Sequence, residues 1–105
     1  MAEKKIIDKI NIFLQKIKEA GIAVEKAYLF GSYTKGTENP DSDIDVMIVS
    51  SVFDKDGDNA AGIVWSLTKT VDIRIEPYII GLNRFNSDNV SPLLQIVKKE
   101  GILIE

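Results

Sequence analysis

Neither cysteine nor histidine occurs in this chain of 105 residues. Without cysteine there is no disulfide and no thiolate metal site. Without histidine, imidazole zinc ligands and histidine acid–base catalysis are excluded as well. Carboxylates remain as metal ligands, and they suit hard cations. No apolar run approaches a membrane span, and the lysine-rich N-terminus carries acids and a helical pattern rather than a signal peptide. Cytoplasmic residence is therefore expected. A basic stripe is missing too: net charge is −3, and the lysines of the first helix and Lys98-Lys99 read as solvated helix faces. Direct nucleic-acid binding is not expected on that balance.

The length allows one small domain, residues 1–105, with a modest core. Ile6, Ile10, Phe13, Leu14 and Ile17 recur at helical spacing, so an amphipathic helix is expected over residues 3–20, ended by Gly21. Strands are expected near 24–30, 44–50 and 71–80, the last weakened by Pro77. Ala60, Ile63, Val64 and Leu67 mark a helix over 58–69, and Ser91-Pro92 opens another that Gly101 closes. Residues 102–104 suit a short edge strand. The order predicts an α/β (α+β) fold: a small mixed sheet packed with helices. Trp65 falls off the apolar stripe of its helix, which leaves two readings: a ring folded over the edge of the core, or an anchor for a partner.

The most informative stretch is Gly31-Ser32, ten intervening residues, then Asp43-Ile44-Asp45. Residues i and i+2 of a strand share a face, so Asp43 and Asp45 stand side by side, within reach of one cation. Ile44, Val46 and Ile48 take the opposite face, while Met47 and Val49 continue the aspartate face in apolar form. Such a strand is expected to be central and covered on both sides. Two aspartates are too few for a pair of metal ions, so a third acid is expected from Val71-Asp72-Ile73-Arg74-Ile75-Glu76. Asp72 and Glu76 lie about 13 Å apart on an extended strand, so both cannot serve one metal pair. Asp72 is the expected ligand, with Glu76 paired to Arg74 or placed at the strand's far end.

Calcium is the rival explanation. Asp41, Asp43 and Asp45 fit the first half of a calcium loop, but Val46 and Val52 stand where glycine and glutamate are required. Asp54, Asp56 and Asp58 fail the same test at Asn59 and Trp65, and read as a solvated loop.

Ala27-Tyr28-Leu29-Phe30 is a short strand that Gly31 ends, where backbone turns sharply or approaches a ligand. Ser32 is then expected to cap a short helical turn whose outward N–H groups, with the hydroxyl, suit phosphate oxygens. Lys35 adds positive charge nearby. Asn39-Pro40-Asp41-Ser42 forms the turn into the aspartate strand.

Gly31-Ser32 followed by Asp43-x-Asp45 resembles the signature of the minimal nucleotidyltransferases, within the DNA polymerase β superfamily. The resemblance extends through Val71-Asp72-Ile73 to Glu100-Gly101-Ile102-Leu103, so it covers most of the chain. It implies the nucleotidyltransferase fold, with triphosphate held at Gly31 and Ser32, and divalent metal at Asp43, Asp45 and Asp72. The chain departs from many relatives in carrying Tyr33 and Lys35 where they carry arginine.

The implied reaction transfers a nucleoside monophosphate, most simply AMP from ATP, to an acceptor hydroxyl with two Mg²⁺ ions. The resemblance also implies a separate helical HEPN-type subunit as partner, in some cases within a toxin–antitoxin pair. A non-catalytic module that keeps the fold and covers a partner subunit is the alternative.

Overall fold

The computed structural model describes residues 4–39, 41–55 and 57–105. The chain runs α1 (Lys4–Glu19), β1 (Lys26–Phe30), α2 (Ser32–Lys35) and β2 (Ile44–Ser50). After a 3₁₀ turn at Ser51–Asp54 come α3 (Gly57–Thr68), β3 (Ile75–Gly81), α4 (Leu82–Ser87), α5 (Pro92–Glu100) and β4 (Ile102–Leu103). The sheet order is β3-β2-β1-β4. β1 lies antiparallel to both β2 and β4, whereas β2 and β3 run parallel. This is the mixed sheet expected from the sequence.

Alternation along each strand sorts the side chains into two cores. Ala27, Leu29, Ile44, Val46, Ile48 and Ile75 join Ile10, Phe13, Leu14 and Ile17 of α1 and Ala60 and Val64 of α3 on one side. Phe30, Met47, Val49 and Ile80 meet Phe85 of α4 and Leu94 and Val97 of α5 on the other. β2 is therefore an interior strand covered on both faces; Ile44, Val46, Ile48 and Val49 are fully buried. Its apolar positions draw helices onto both sides, and its one charged residue, Asp45, stands at the N-terminal end. Pro77 is accommodated because β3 is an edge strand, where a missing N–H costs no ladder bond.

The chain adds two short elements to the expected order. The Ser50 hydroxyl accepts from the Val52 N–H and starts the 3₁₀ turn. At α4, the Asn83 N–H donates to Asp54 Oδ2 at 3.1 Å, so a carboxylate 29 residues earlier caps a helix whose own sequence reads as a turn. Asp54 is thus a structural cap as well as an exposed residue of the turn. Asp56, from the same acidic cluster, lies outside the described residues, as does Pro40.

The third difference concerns the start of β3. The N–H groups of Val71 and Asp72 donate to the Thr68 carbonyl, so the chain is still closing α3 where a strand was expected. Trp65 sits on α3 with 48% of its surface exposed, a ring left half in solvent. Among the described residues, no helix is long and apolar enough to cross a membrane.

Candidate active site

The polar end of β2 is where three segments meet. Antiparallel pairing places Phe30 opposite Asp45, and parallel pairing places Glu76 opposite Asp45 on the other side. Asp43, Asp45 and Glu76 consequently project from the same face of the sheet, the α4/α5 side. One carboxylate oxygen from each lies within 4.8 Å of the others. Asp43 is exposed, while Asp45 and Glu76 are half-buried.

The geometry departs here from the expectation for the third acid: Glu76 joins the pair and Asp72 does not. Asp72 lies in the turn before β3, on the α1 side, where Lys9 Nζ donates to Oδ2 at 2.7 Å. Arg74 holds the same carboxylate from Nε at 3.1 Å and from Nη2 at 2.8 Å. These donors keep the Asp72 carboxyl well below the usual carboxylate range. Arg74 accordingly pairs with Asp72, not with Glu76. Both acids fit the aspartate face of an ideal strand, so alternation could not separate them. The observed start of β3 at Ile75 separates them: it pairs Asp45 with Glu76, where the expected start at residue 71 would have paired it with Asp72.

Electrostatics mark the triad as a site short of positive charge. Burial, followed by repulsion from Glu76 and then Asp43, pushes the Asp45 carboxyl up to about 6. Among the described residues, no ion pair involves any of the three acids. Such a cluster of hard oxygen donors fits a divalent cation of the Mg²⁺ type, and cation binding would relieve the repulsion. Tyr78, two residues beyond Glu76 on the same face, interacts through its hydroxyl with Asp45 and Glu76. Its ring packs edge-on against Phe30, with centroids 5.1 Å apart. Burial and the adjacent acids raise the Tyr78 phenol above its ordinary value, so it stays neutral beside the carboxylates. Sequence reasoning passed over this tyrosine; its i+2 spacing from Glu76 is the signal that finds it.

The glycine turn abuts the acids. Gly31 adopts φ +80°, and a Cβ at that position would run into Asp45 Oδ2 and stand 3.2 Å from Asp45 Cγ. Glycine is required both by conformation and by the close approach of the carboxylate. Gly31 itself occupies the cap position of α2, and Ser32 is the first helical residue, not the capping one. Thr34 Oγ1 donates to the Gly31 carbonyl at 2.8 Å and Gly36 closes the turn at φ +71°. Tyr33 is buried toward α1, whereas Lys35 is exposed.

Comparison with known proteins agrees with this arrangement. The model of the family described as "Nucleotidyltransferase domain" matches residues 8–103. No curated protein sequence gives a match. Among solved structures, a protein assigned as a nucleotidyltransferase from Sulfolobus solfataricus superposes with a TM-score of 0.66 at 14% identity, covering 94% of this chain and 78% of that one. A toxin–antitoxin structure with AMP-PNP gives 0.61 at 25% identity, covering 89% and 70%. A mutant of the toxin–antitoxin MntA-HpeT gives 0.59 at 22% identity, covering 94% and 72%. With the match spanning all but the chain's ends, and the acids meeting the glycine turn where they do, this chain belongs to the nucleotidyltransferase domain family.

Proposed function

We propose that the chain is a divalent-metal-dependent nucleotidyltransferase that moves AMP from ATP onto the hydroxyl of a protein partner, as the antitoxin of a toxin–antitoxin pair. The observation that carries the catalytic part is the contact of Gly31 with Asp45, inside a cluster completed by Asp43 and Glu76. In the transfer, a bond forms between the acceptor oxygen and the α-phosphorus, the α–β bridging bond breaks, and pyrophosphate leaves. The acceptor proton passes to solvent.

Asp43, Asp45 and Glu76 would hold Mg²⁺, and bound Mg²⁺ supplies charge neutralisation and a more acidic acceptor hydroxyl. The Gly31 backbone and the Ser32 hydroxyl orient the terminal phosphates, with Lys35 adding charge at the rim. Tyr78 steadies Asp45 and Glu76 from the apolar side. Because Asp45 and Glu76 stand opposite one another on paired strands and Asp43 directly precedes β2, their separation is fixed before substrate arrives. Catalysis then rests on positioning and electrostatics.

The partner and the nucleotide are supported by the neighbours. One toxin–antitoxin structure carries AMP-PNP, and the MntA-HpeT mutant exchanges two aspartates spaced as Asp43 and Asp45 are. A helical HEPN-type subunit is the partner the sequence resemblance implies. The test is incubation of the chain and its copurifying protein with α-labelled ATP and Mg²⁺. Label on the partner, absent with Asp43→Asn and Asp45→Asn, is the expected result. Partner binding without label under any metal would instead establish a non-catalytic neutralising module.

A further inference from the structure

Asp72 and Arg74 form a polar network that the acid cluster does not use. The Asp72 side chain is only 9% exposed, and both of its oxygens accept from the Arg74 guanidinium. Its Oδ1 also accepts from the Arg74 backbone N–H at 2.9 Å, and Lys9 of α1 closes the set on Oδ2. From this fixed position, Arg74 Nη1 donates to Tyr33 Oη at 3.1 Å. The Arg74 carbonyl accepts from the Ile44 N–H at 2.8 Å. Tyr33 belongs to the turn begun by Gly31, and Ile44 lies between Asp43 and Asp45. One arginine therefore ties the glycine turn to the strand that bears the acids.

We infer that Asp72 and Arg74 are positioning residues, which hold the Gly31–Lys35 turn in register with the carboxylates through Tyr33. Removing any link loosens the turn while leaving the acids in place, because Asp45 and Glu76 are carried by strand pairing and Asp43 directly precedes the paired Ile44. The Tyr33 ring is buried in the core with α1, so the phenol is a short, stiff strut from turn to guanidinium. The consequence for nucleotide rests on the function proposed above; the consequence for the turn does not.

The experiment compares wild type with Tyr33→Phe, Asp72→Asn and Glu76→Gln in three measurements. These are amide hydrogen exchange over residues 31–37, Mn²⁺ affinity by electron paramagnetic resonance, and Mg²⁺–AMP-PNP affinity by calorimetry. Loss of one hydrogen bond predicts exchange in the turn and the AMP-PNP dissociation constant both rising about fivefold in Tyr33→Phe. Asp72→Asn, which loses charge-assisted bonds, gives about tenfold or more. Mn²⁺ affinity stays at the wild-type value in both and falls in Glu76→Gln. Unchanged exchange in the turn of Tyr33→Phe and Asp72→Asn overturns the inference. Loss of Mn²⁺ affinity in Asp72→Asn but not in Glu76→Gln overturns it too, since Asp72 would then be a metal ligand. Should wild type take up no AMP-PNP, the proposed transferase function fails, and the exchange data still decide whether the network holds the turn.

Discussion

The Asp45 carboxylate lies against the α-carbon of Gly31, in the space a side chain would fill. The positive φ of Gly31 and the partly buried charge of Asp45 are two halves of one arrangement. A turn proposed to bind phosphate and an acid proposed to bind metal can be this close only if the turn carries no Cβ.

Gly31→Ala is accordingly expected to lose about 1–3 kcal/mol of stability from backbone strain, with a further loss as Asp45 is displaced. Thermal melts read the first effect. The second appears as weakened Mg²⁺ binding, which distinguishes this variant from a merely destabilised one.

Glu76→Gln should lower transferase activity about 100-fold or more, as expected for removing a preorganised charged group. The metal-free protein should melt at a higher temperature than wild type, because one of three mutually repelling charges is gone. Asp45→Asn should behave the same way on both counts. Activity on α-labelled ATP together with melts in chelator checks the pair of effects. A drop in metal-free stability would show that protein groups, rather than a bound cation, offset the repulsion among the acids.

The Asp45 carboxyl, raised from 3.8 to about 6, makes the folded chain bind its proton more tightly than the unfolded chain does. Stability from this group is fully present below the unfolded value and is lost as pH rises through the folded one. The metal-free protein should therefore lose stability between about pH 4 and pH 6, and Asp45→Asn should flatten that fall. Asp72 works in the opposite sense. Its carboxyl is held down, so its contribution is present above the ordinary carboxylate range and disappears only in strong acid. Mg²⁺ should raise the melting temperature more at pH 7.5 than at pH 5, where the proton competes for Asp45.

Asp54→Ala removes the remote cap of α4 and should cost about 0.5–2 kcal/mol, the range for loss of a capping carboxylate. Because the Asp54 carboxylate also packs on Gly81, faster amide exchange should appear at the α4 start and around Gly81, but not at the acid cluster. Exchange measured residue by residue checks this.

The elements built from local pattern were legible in the sequence. The stripe of Ile10, Leu14 and Ile17 marks α1, and Ser91-Pro92 with Gly101 brackets α5. The two-sided apolar character of β2 places it inside the sheet. The pairing of Asp43 with Asp45 needs only strand alternation. Whatever depends on distant chain segments was not legible. α4 is capped from Asp54, and its Asn-rich sequence has no helical signature of its own. The third acid depends on where α3 stops. Thr70, Val71 and Asp72 carry no glycine or proline to announce that the helix is still unwinding, so the strand was expected to start too early and Asp72 to stand where Glu76 does. Tyr33 was legible only as a departure from the arginine of many relatives; its burial against α1, which directs the phenol to Arg74, depends on distant residues.

Trp65 is the only tryptophan, and its half-wet ring lies on α3, across the sheet from Asp43, Asp45 and Glu76. Intrinsic fluorescence excited at the indole should thus respond little to a cation added at the acid cluster. The same emission should brighten or shift blue when a second protein covers the α3 side, or shift red when the chain melts. This built-in dye watches the back of the molecule, and a titration of the front needs a reporter placed elsewhere.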